Sequence, residues 1–529
     1  MKTNAYTSTG ALIRLSLRRD WLLLLICVML PALLAVIEAA ASNSLYPTAA
    51  LRQVFFETAS SPAAIALRGP AYASTLGGLT AWTWGWIAAL LVGIGSIFFV
   101  IRHTRTEEEA GRFELLDSSV VGRQAALSAS LIVTLGANVV MAALVAGGLI
   151  AYGLPVVGSV ALGLSVAAVG WTFAAIAGVT AQLTESAGAA RGIAWAILGL
   201  CYLVRVAGDL NEHNALSWLS WLSPLEWMRY IQPFANECWW IFALFIGLVI
   251  VVSATAFLLS ARRDVGAGLL RPRPGPATAS PSLRSPLALA WRLHRSTLLA
   301  WVAGFALYGA VFGGFAKSVA DLLTVTHQFA IPGGITGLSD SFLTSILGLS
   351  ALVAAAYTIM AILQMQSEET KARLDSALAS PVSRLRWATS YVLLAAVGTA
   401  IVLAAVGLSA GLAYGLSTGN VGYELPRVLA ASMVFLPAIW VMAGIAVALY
   451  GLIPRFTFVS WGALLGVILI GVLGPSLQVS QSIMNISPFT HVPAVLVSGV
   501  SVMPLVSLTL VAMILTVVGL IGFQRRSIG

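Results

Sequence analysis

The sequence predicts an all-α polytopic membrane protein with twelve transmembrane helices arranged as two tandem six-helix halves. Three observations lead to this fold class: an apolar composition, twelve long apolar segments, and a motif that recurs along the chain. Hydrophobic residues make up 59% of the 529 residues and charged residues only 9%, whereas soluble domains carry about 25% charged residues. A soluble chain of this composition could not cover its own surface, so we expect the apolar residues to face lipid.

The apolar segments set the number of spans, since a spanning helix needs roughly 20 residues. We predict spans at residues 21–41, 80–101, 125–152, 157–182, 191–208, 239–260, 297–316, 342–364, 388–415, 428–452, 459–479 and 501–523. With both termini inside, 23 of the 29 Lys and Arg residues fall on the inner side. The positive-inside rule therefore predicts a multi-pass protein of the cell membrane with both termini cytoplasmic.

Several classes of function are disfavoured by what the sequence lacks. The three cysteines and five histidines are scattered, which provides neither metal-ligand spacing nor a disulfide framework. The net charge of +9 arises from the inner flanks of the spans, so it does not indicate a nucleic-acid partner. There is no G-x-x-x-x-G-K-[ST] phosphate loop and no acid–base or nucleophile constellation. We expect the chain to hold no cofactor or metal and not to hydrolyse ATP itself.

An internal repeat indicates that the two halves share one plan. Glu107, Glu108, Arg112, Ser119, Val121 and Arg123 recur at a constant offset of 261 as Glu368, Glu369, Arg373, Ser380, Val382 and Arg384. Ser223-Pro224-Leu225 and Arg262-Arg263 recur as Ser487-Pro488-Phe489 and Arg525-Arg526. We predict a first six-span half over 1–263, a flexible cytoplasmic linker over 264–286 and a second half over 287–529. Because both halves begin and end inside, the repeat is parallel.

Each half opens with a basic amphipathic stretch, at residues 12–19 and 289–295. Such a sequence favours a helix that lies in the membrane interface, with arginines on phosphates and apolar residues among acyl chains. A plain positively charged flank is the alternative, and the recurrence in both halves favours the interfacial elbow.

The loop after the second span of each half is long, charged and cytoplasmic, over 102–124 and 366–387. Glu108 and Arg112, like Glu369 and Arg373, stand at i,i+4, a spacing that supports a helix. A loop of this length exceeds what a turn requires. It suggests a docking element for a soluble partner, with a solvated extension of the second span as the alternative. The candidate docking residues are Glu107, Glu108, Arg112, Arg123, Glu368, Glu369, Arg373 and Arg384.

The outer segment before the sixth span of each half is broken by proline and, in the first half, rich in tryptophan. Tryptophan at this depth commonly forms an interfacial belt. A re-entrant helix pair that closes the outer end of a pathway is the alternative. The outer-gate candidates are Trp221, Pro224, Trp227, Pro488 and Phe489.

Two ionisable residues lie inside predicted spans, Glu38 and Arg205. A charge in a membrane is by default a candidate for a functional site. Both residues are near the outer ends of their spans, where we expect their side chains to reach headgroups or water. Arg205 could also pair with Asp209 at i,i+4.

Together these features resemble the permease subunit of a type-two ABC exporter. The Glu-Glu-x3-Arg loops that end in Val-x-Arg, at 107–123 and 368–384, are similar to those of fused twelve-span actinobacterial permeases. That family is described as exporting polyketide antibiotics or as multidrug efflux permeases, and the resemblance covers essentially the whole chain. The second loop departs from the first, with Lys371 in place of Ala110 and Pro381 in place of Val120, so the two docking surfaces are expected to differ.

The resemblance implies a mechanism that depends on a partner. A separate ATP-binding subunit, in two copies, would bind ATP and Mg and dock under the two loops. Its closure would switch a central pathway, lined by the first, second and fifth spans of each half, and release a hydrophobic antibiotic or drug-like compound outside. We expect largely apolar walls, because intramembrane charge is scarce.

Three alternatives stay open at the level of sequence. An ABC permease could instead move a lipid or cell-envelope precursor. A proton-coupled secondary transporter would also have two six-span halves, but the scarcity of intramembrane acids argues against a coupling-ion site. A membrane-embedded enzyme would need a cluster of acidic or metal-binding residues on one face, which the sequence does not show.

Overall fold

The computed structural model describes residues 5–58, 65, 68–111, 122–209, 217–264, 266–270, 278, 285–325, 334–370, 373–379, 381–473, 480–499 and 501–526. Regular structure in this part of the chain is helical throughout. Eleven of its helices are long and apolar enough to cross a membrane. The structure therefore confirms an all-α polytopic membrane protein.

The described part of the chain contains twenty α-helices. In the first half they are α1 (Thr9–Arg19), α2 (Trp21–Leu45), α3 (Ala49–Thr58), α4 (Leu76–His103), α5 (Arg105–Glu109), α6 (Ala125–Ala151), α7 (Val156–Leu183), α8 (Ala187–Asp209), α9 (Pro224–Tyr230) and α10 (Ile241–Arg262). In the second half they are α11 (Pro286–Val325), α12 (Gly334–Thr370), α13 (Arg373–Leu378), α14 (Arg384–Thr418), α15 (Val421–Met433), α16 (Leu436–Leu452), α17 (Val459–Leu473), α18 (Gln481–Met484), α19 (Val495–Ser498) and α20 (Val502–Arg525).

The chain separates into two compact units, Met1–Gly275 and Pro276–Gly529. In the first unit the fourth span, α7, is the most buried span and packs against α4, α6, α8 and α10. Small residues permit this close packing, as is common between helices in membranes. A Cβ on Gly163 of α7 would lie 2.5 Å from the carbonyl oxygen of Ala142 on α6, so a larger residue there would push the two helices apart.

The second unit repeats the same pairs of neighbouring spans. Its first span packs along its third, α11 on α14, and its fourth span packs along its sixth, α16 on α20. The corresponding pairs in the first unit, α2 with α6 and α7 with α10, are also in contact. Gly519 of α20 sits directly against the backbone of Val447 on α16. Each half therefore holds its spans in the same neighbour relationships.

The eleventh predicted span, at 459–479, is the one without a full-length counterpart among the described residues. Helix α17 covers Val459–Leu473, which is 15 residues, and residues 474–479 lie outside the described part of the chain. A helix of this length is shorter than the roughly 20 residues needed to cross a bilayer. The twelfth crossing therefore stays a prediction.

The two predicted elbows differ in structure. In the first half, α1 is a separate helix that ends at Arg19, and the non-helical residue Asp20 separates it from α2. In the second half, the stretch at 289–295 is continuous with its span in the 40-residue helix α11. A separate second elbow was therefore a wrong expectation.

The start of the predicted linker is held in place by the first half. Leu269 and Leu270 donate backbone hydrogen bonds to the carbonyls of Gln182 and Leu183, at the end of α7. The described residues at the start of the predicted linker therefore contact the end of the fourth span. The boundary between the two compact units falls further along the same segment.

Candidate functional site

The repeated charged residues meet at one end of each half, which we call the base. It is the end where the second span finishes, the third span starts and the sixth span finishes. In the first half, Glu108 of α5 pairs with Arg263, the residue that ends the sixth span, at 2.5 Å. Arg123, just before the third span, donates a hydrogen bond to the carbonyl of Arg263. Such a contact satisfies a helix-end carbonyl and places a cation at the negative end of the helix dipole.

The second half contains the same arrangement. Glu369, at the end of α12, pairs with Arg526 at 2.5 Å. Arg384, the first residue of α14, donates to the carbonyl of Arg526 at 2.8 Å. We call each set the base clamp: Glu108, Arg263 and Arg123 in the first half, and Glu369, Arg526 and Arg384 in the second. Residues that recur in sequence thus recur as one three-membered contact.

Each base clamp also reaches the fourth span. Arg263 donates to the side chain of Gln182 near the end of α7, at 2.6 Å. Arg526 donates to the carbonyl of Tyr450 near the end of α16 at 3.0 Å, and the Tyr450 hydroxyl donates to Glu369 at 2.7 Å. The clamp therefore ties the ends of the second, fourth and sixth spans to the start of the third.

The buried Arg105 extends the first clamp. Arg105 pairs with Glu108 at 2.6 Å and donates to the carbonyls of Glu185, Gly266 and Ala267. The equivalent residue 261 positions later, Gln366, donates to the carbonyl of Pro454 at 3.2 Å. In both halves this residue links the charged loop to the connection between the fourth and fifth spans. The constant offset of 261 was the signal that could have identified it.

The remaining docking candidates face their own half as well. Glu107 accepts a hydrogen bond from Arg19 of α1 at 2.8 Å. Glu368 pairs with Arg373 at 3.3 Å, so the partner of Arg373 is Glu368 and not, as expected, Glu369. Arg112 lies outside the described residues. The helix-supporting pair expected at 369 and 373 is replaced because Arg526 occupies the Glu369 carboxylate.

The separate elbow of the first half is fixed by Asp20. Arg102 donates two hydrogen bonds to this carboxylate, at 2.9 and 3.2 Å. Burial raises the pKa of Asp20, but the hydrogen bonds and charge of Arg102, with the charges of His103 and Arg19, outweigh burial and lower the pKa below its ordinary value. Asp20 is therefore ionised at neutral pH and anchors α1 to the end of the second span.

The opposite end of the first half contains a buried group of four ionisable residues. Arg205 pairs with Asp209 at 3.4 Å, Arg229 pairs with Asp209 at 3.2 Å, and Arg229 pairs with Glu226 at 2.9 Å. The predicted Arg205–Asp209 pair is confirmed. The expectation that Arg205 reaches headgroups or water is wrong, because the residue is 2% exposed. Its charge is matched inside the protein, which is the usual requirement for burying an ion.

Glu226 of this group has an unusual proton affinity. Burial raises the pKa of Glu226 to about 8, although the charge of Arg229 lowers it. The sequence did not identify Glu226 or Arg229 as candidates, because it predicted no contact between the segment that forms α9 and the spans of the first half. Glu38, by contrast, is half-buried and accepts a hydrogen bond from Ser42 at 3.4 Å.

The outer-gate candidates lie in short helices and not in spans. Pro224 begins α9, and the indole of Trp227 donates to the carbonyl of Trp221 at 2.7 Å. In the second half, Pro488 begins a 3-10 helix over Pro488–His491, and Phe489 packs against the core. The Ser-Pro repeat thus starts a short helix before the sixth span in each half.

The second half has its own charged group at the end opposite its base. Arg427 of α15 binds the carboxylate of Asp340 on α12 with two hydrogen bonds, at 2.6 and 3.0 Å, and also pairs with Glu424 at 2.8 Å. A two-pronged guanidinium–carboxylate contact is among the stronger polar contacts in proteins. It ties the second span of this half to the fourth.

Comparison with known proteins identifies the family. A family model described as the C-terminal domain of the multidrug efflux system permease Rv1217c matches residues 283–524. The multidrug efflux system permease protein Rv1217c of Mycobacterium tuberculosis (strain ATCC 25618 / H37Rv) is 39% identical over 531 aligned positions, which cover 99% of this chain and 96% of the relative. The predicted resemblance to multidrug efflux permeases is thereby confirmed, and the chain belongs to the family of this permease.

Proposed function

We propose that the chain is the membrane permease of an ATP-driven exporter that moves hydrophobic, antibiotic or drug-like compounds out of the cell. The name of its relative, a multidrug efflux system permease, supports the export function. A separate ATP-binding subunit in two copies supplies the energy and holds ATP and Mg, since the sequence has no phosphate loop of its own. Both termini and the base of each half lie in the cytoplasm.

The observation that carries this proposal is the base clamp. A helix-ending arginine in each half is bound by an acid from the charged loop and by the arginine that opens the third span. A movement of either charged loop, driven from the cytoplasmic side, would therefore be transmitted to the base ends of the second, third, fourth and sixth spans together. In this proposal the clamp residues shape the docking surface and transmit its movement, while the loop between them contacts the ATPase.

The power source is tested in inverted membrane vesicles that contain the permease with its ATPase. We expect ATP to drive uptake of a hydrophobic dye, and a protonophore to leave uptake unchanged. Vesicles with an ATPase lacking its Walker A lysine should be inactive. Uptake that collapses with the protonophore and persists with the inactive ATPase would establish the proton-coupled alternative.

The role of the base clamp is tested by reversing Arg123→Glu and Arg384→Glu together. The matched control reverses Arg262→Glu and Arg525→Glu, two exposed arginines that directly precede the clamp arginines. We expect the first variant to lose co-purification of the ATPase or its substrate-stimulated hydrolysis, and the control to keep both. Full recruitment and stimulation in the clamp variant would contradict the coupling role.

One observation favours lipid or cell-envelope cargo as a second candidate function. An apolar cavity of about 560 Å³ lies between α1, α2 and α6, lined by residues such as Trp21, Leu25 and Val133. Its apolar lining and size suit an acyl chain. Native mass spectrometry of the permease with and without turnover would separate the candidates, because a transported lipid would be depleted during ATP hydrolysis and a drug exporter would leave the bound lipid unchanged.

A further inference from the structure

A cavity at the base of the second half is larger than its equivalent among the described residues of the first. It measures about 350 Å³ and lies between the start of α11, the charged loop and the third span. Leu289 and Leu293 form one wall, Trp387 and Tyr391 form another, and Glu368 and Arg373 are the charged residues of its lining. Drug-sized ligands commonly occupy cavities of this size with apolar walls and a few polar groups.

The equivalent cavity in the first half is much smaller. The cavity there, lined by residues that include Leu12, Leu15 and Glu107, measures about 50 Å³. Glu107 is the repeat equivalent of Glu368, and Arg19 of the elbow binds it at 2.8 Å. An arginine from the elbow thus seals the first cavity.

The second half lacks the sealing arginine. Ser16 contacts His103 at 3.2 Å in the first half, and His294 contacts Gln364 at 3.0 Å in the second. His103 and Gln364 are repeat equivalents at the offset of 261, so Ser16 and His294 occupy equivalent places. Three residues further along, Arg19 corresponds to Thr297. The second cavity is therefore left open on the side of the elbow.

Among the described residues that line this cavity, the buried charge is negative. Glu368 is buried, whereas Arg373, its partner at 3.3 Å, has a side chain that is 58% exposed. Water around the exposed Arg373 side chain screens its attraction to Glu368, so a ligand cation can replace Arg373. Neither Arg292 nor Arg295 of the same helix is among the described residues that line the cavity. Aromatic walls next to a carboxylate are the usual surroundings of a bound organic cation.

We propose that the cavity formed by Leu289, Leu293, Glu368, Trp387 and Tyr391 binds amphipathic organic cations, with the cation at Glu368 and the apolar body between the leucines and the aromatic rings. The inference rests on the proposed function for its biological meaning, since it assigns one substrate class to the exporter. The same chemistry would accept either a drug-like cation or the ammonium headgroup of an aminolipid.

The test uses the purified full-length permease in nanodiscs, without ATPase or ATP. Binding of tetraphenylphosphonium is compared with binding of tetraphenylborate, which has the same shape and the opposite charge. Glu368→Gln should weaken phosphonium binding by about tenfold or more, as expected from the loss of one charge-assisted contact worth roughly 1.4 kcal/mol, and change borate binding less than twofold. Asp375→Asn, which removes an exposed acid from the neighbouring α13, should change neither.

A second variant keeps the inference falsifiable if Glu368→Gln disturbs the fold. Thr297→Arg restores the arginine of the first half, and we expect it to pair with Glu368 and to weaken phosphonium binding. Unchanged phosphonium binding in both variants would overturn the proposal, as would an equal loss of phosphonium and borate binding in Glu368→Gln.

Nanodisc composition identifies the source of the ligand. Phosphatidylethanolamine that competes with tetraphenylphosphonium in the wild type, and not in Glu368→Gln, assigns the cavity to an aminolipid. Equal affinity in phosphatidylethanolamine and phosphatidylglycerol discs assigns it to a free organic cation. Because the binding assay contains no ATPase, its failure leaves the power source unaffected, and failure of ATP-driven uptake leaves the binding result standing.

Discussion

Glu108→Gln should weaken the first half more than Glu369→Gln weakens the second. The Glu108 and Arg263 side chains are 11% and 7% exposed, and the two carboxylate oxygens of Glu108 bind Arg263 and Arg105 at 2.5 and 2.6 Å. Removing one partner of a buried ion pair costs about 3–5 kcal/mol, because the other charge stays buried. Arg105 and Arg263 keep hydrogen bonds to the carbonyl of Ala267, so we expect the lower end of this range.

The second clamp is more accessible to water. The side chains of Glu369 and Arg526 are 23% and 13% exposed, and a hydrogen bond to a charged group contributes about 1.5–3 kcal/mol. For a unit of 150–250 residues each kcal/mol shifts the unfolding midpoint by about 2–4 °C. Glu108→Gln should therefore lower the midpoint of the first half by roughly 6–12 °C, and Glu369→Gln should produce a smaller shift in the second.

Thermal unfolding of the purified permease, monitored by tryptophan fluorescence, measures both effects. Arg262→Gln and Arg525→Gln are the controls, since these exposed arginines precede the clamp arginines and should shift the midpoint by less than either glutamate variant. Midpoints for Glu108→Gln and Glu369→Gln that match the controls would show that the clamps are not stabilising. A larger shift for Glu369→Gln than for Glu108→Gln would refute the reasoning from burial.

Four further variants test the other charged groups. Arg205→Gln should be destabilising, near the lower end of the about 3–5 kcal/mol of a broken buried pair, because Asp209 keeps Arg229 as a partner, whereas Glu38→Gln should have little effect; equal midpoints would refute the difference in burial. Stability of the wild type should fall from pH 4.5 to about 8, because folded Glu226 with its raised pKa holds a proton that unfolded Glu226 loses, at up to about 1.4 kcal/mol per pH unit; Glu226→Gln should remove this slope. Asp20→Asn should be destabilising at neutral pH, and the difference from wild type should disappear as the pH falls below the ordinary pKa of 3.8, measured by the same unfolding assay.

The fold was predictable because it depends on properties that each segment carries by itself. Length and apolar composition identify a spanning helix without reference to any partner, and eleven of the predicted spans have such helices. The predictions differed from the structure where the conformation of a segment depends on a contact with a residue far away in the sequence. Asp20 separates the first elbow from its span because it has Arg102 to bind, and the corresponding residue of the second half is Leu298, which lets α11 continue.

The base clamps show what a repeat can and cannot predict. The recurring residues were visible in the sequence, but their pairing was not, because the partners lie far apart along the chain. Glu108 and Arg263 are separated by 155 residues, and Glu369 and Arg526 by 157. In each half a recurring acid is separated from a recurring arginine by nearly the same number of residues. This similarity was the signal in the sequence that could have predicted the two pairs. The local i,i+4 spacing instead predicts Arg373 as the partner of Glu369, and this is wrong because Glu369 binds Arg526.

The charged group at the opposite end of the first half was missed for a physical reason. The side chain of a single arginine near the end of a span can reach water at little free-energy cost, so we expected Arg205 to be solvated. Asp209 instead pairs with Arg205 inside the protein, and Arg229 and Glu226 complete the buried group. Whether a charged side chain in a span is buried therefore depends on the charges of the residues around it. These residues come together only in the folded chain.

The halves also differ outside the charged loops. Lys371 and Pro381 predict an asymmetry between the loops, and this stays a prediction because Lys371 and residues 112–121 lie outside the described part of the chain. The larger structural difference is at the elbow, where Arg19 and Asp20 in the first half correspond to Thr297 and Leu298 in the second. Two polar residues close one cavity and anchor a separate helix, and their replacement leaves an acid facing an open cavity. A duplicated exporter can therefore keep the contacts that couple each half to its loop while it changes one elbow into a binding site.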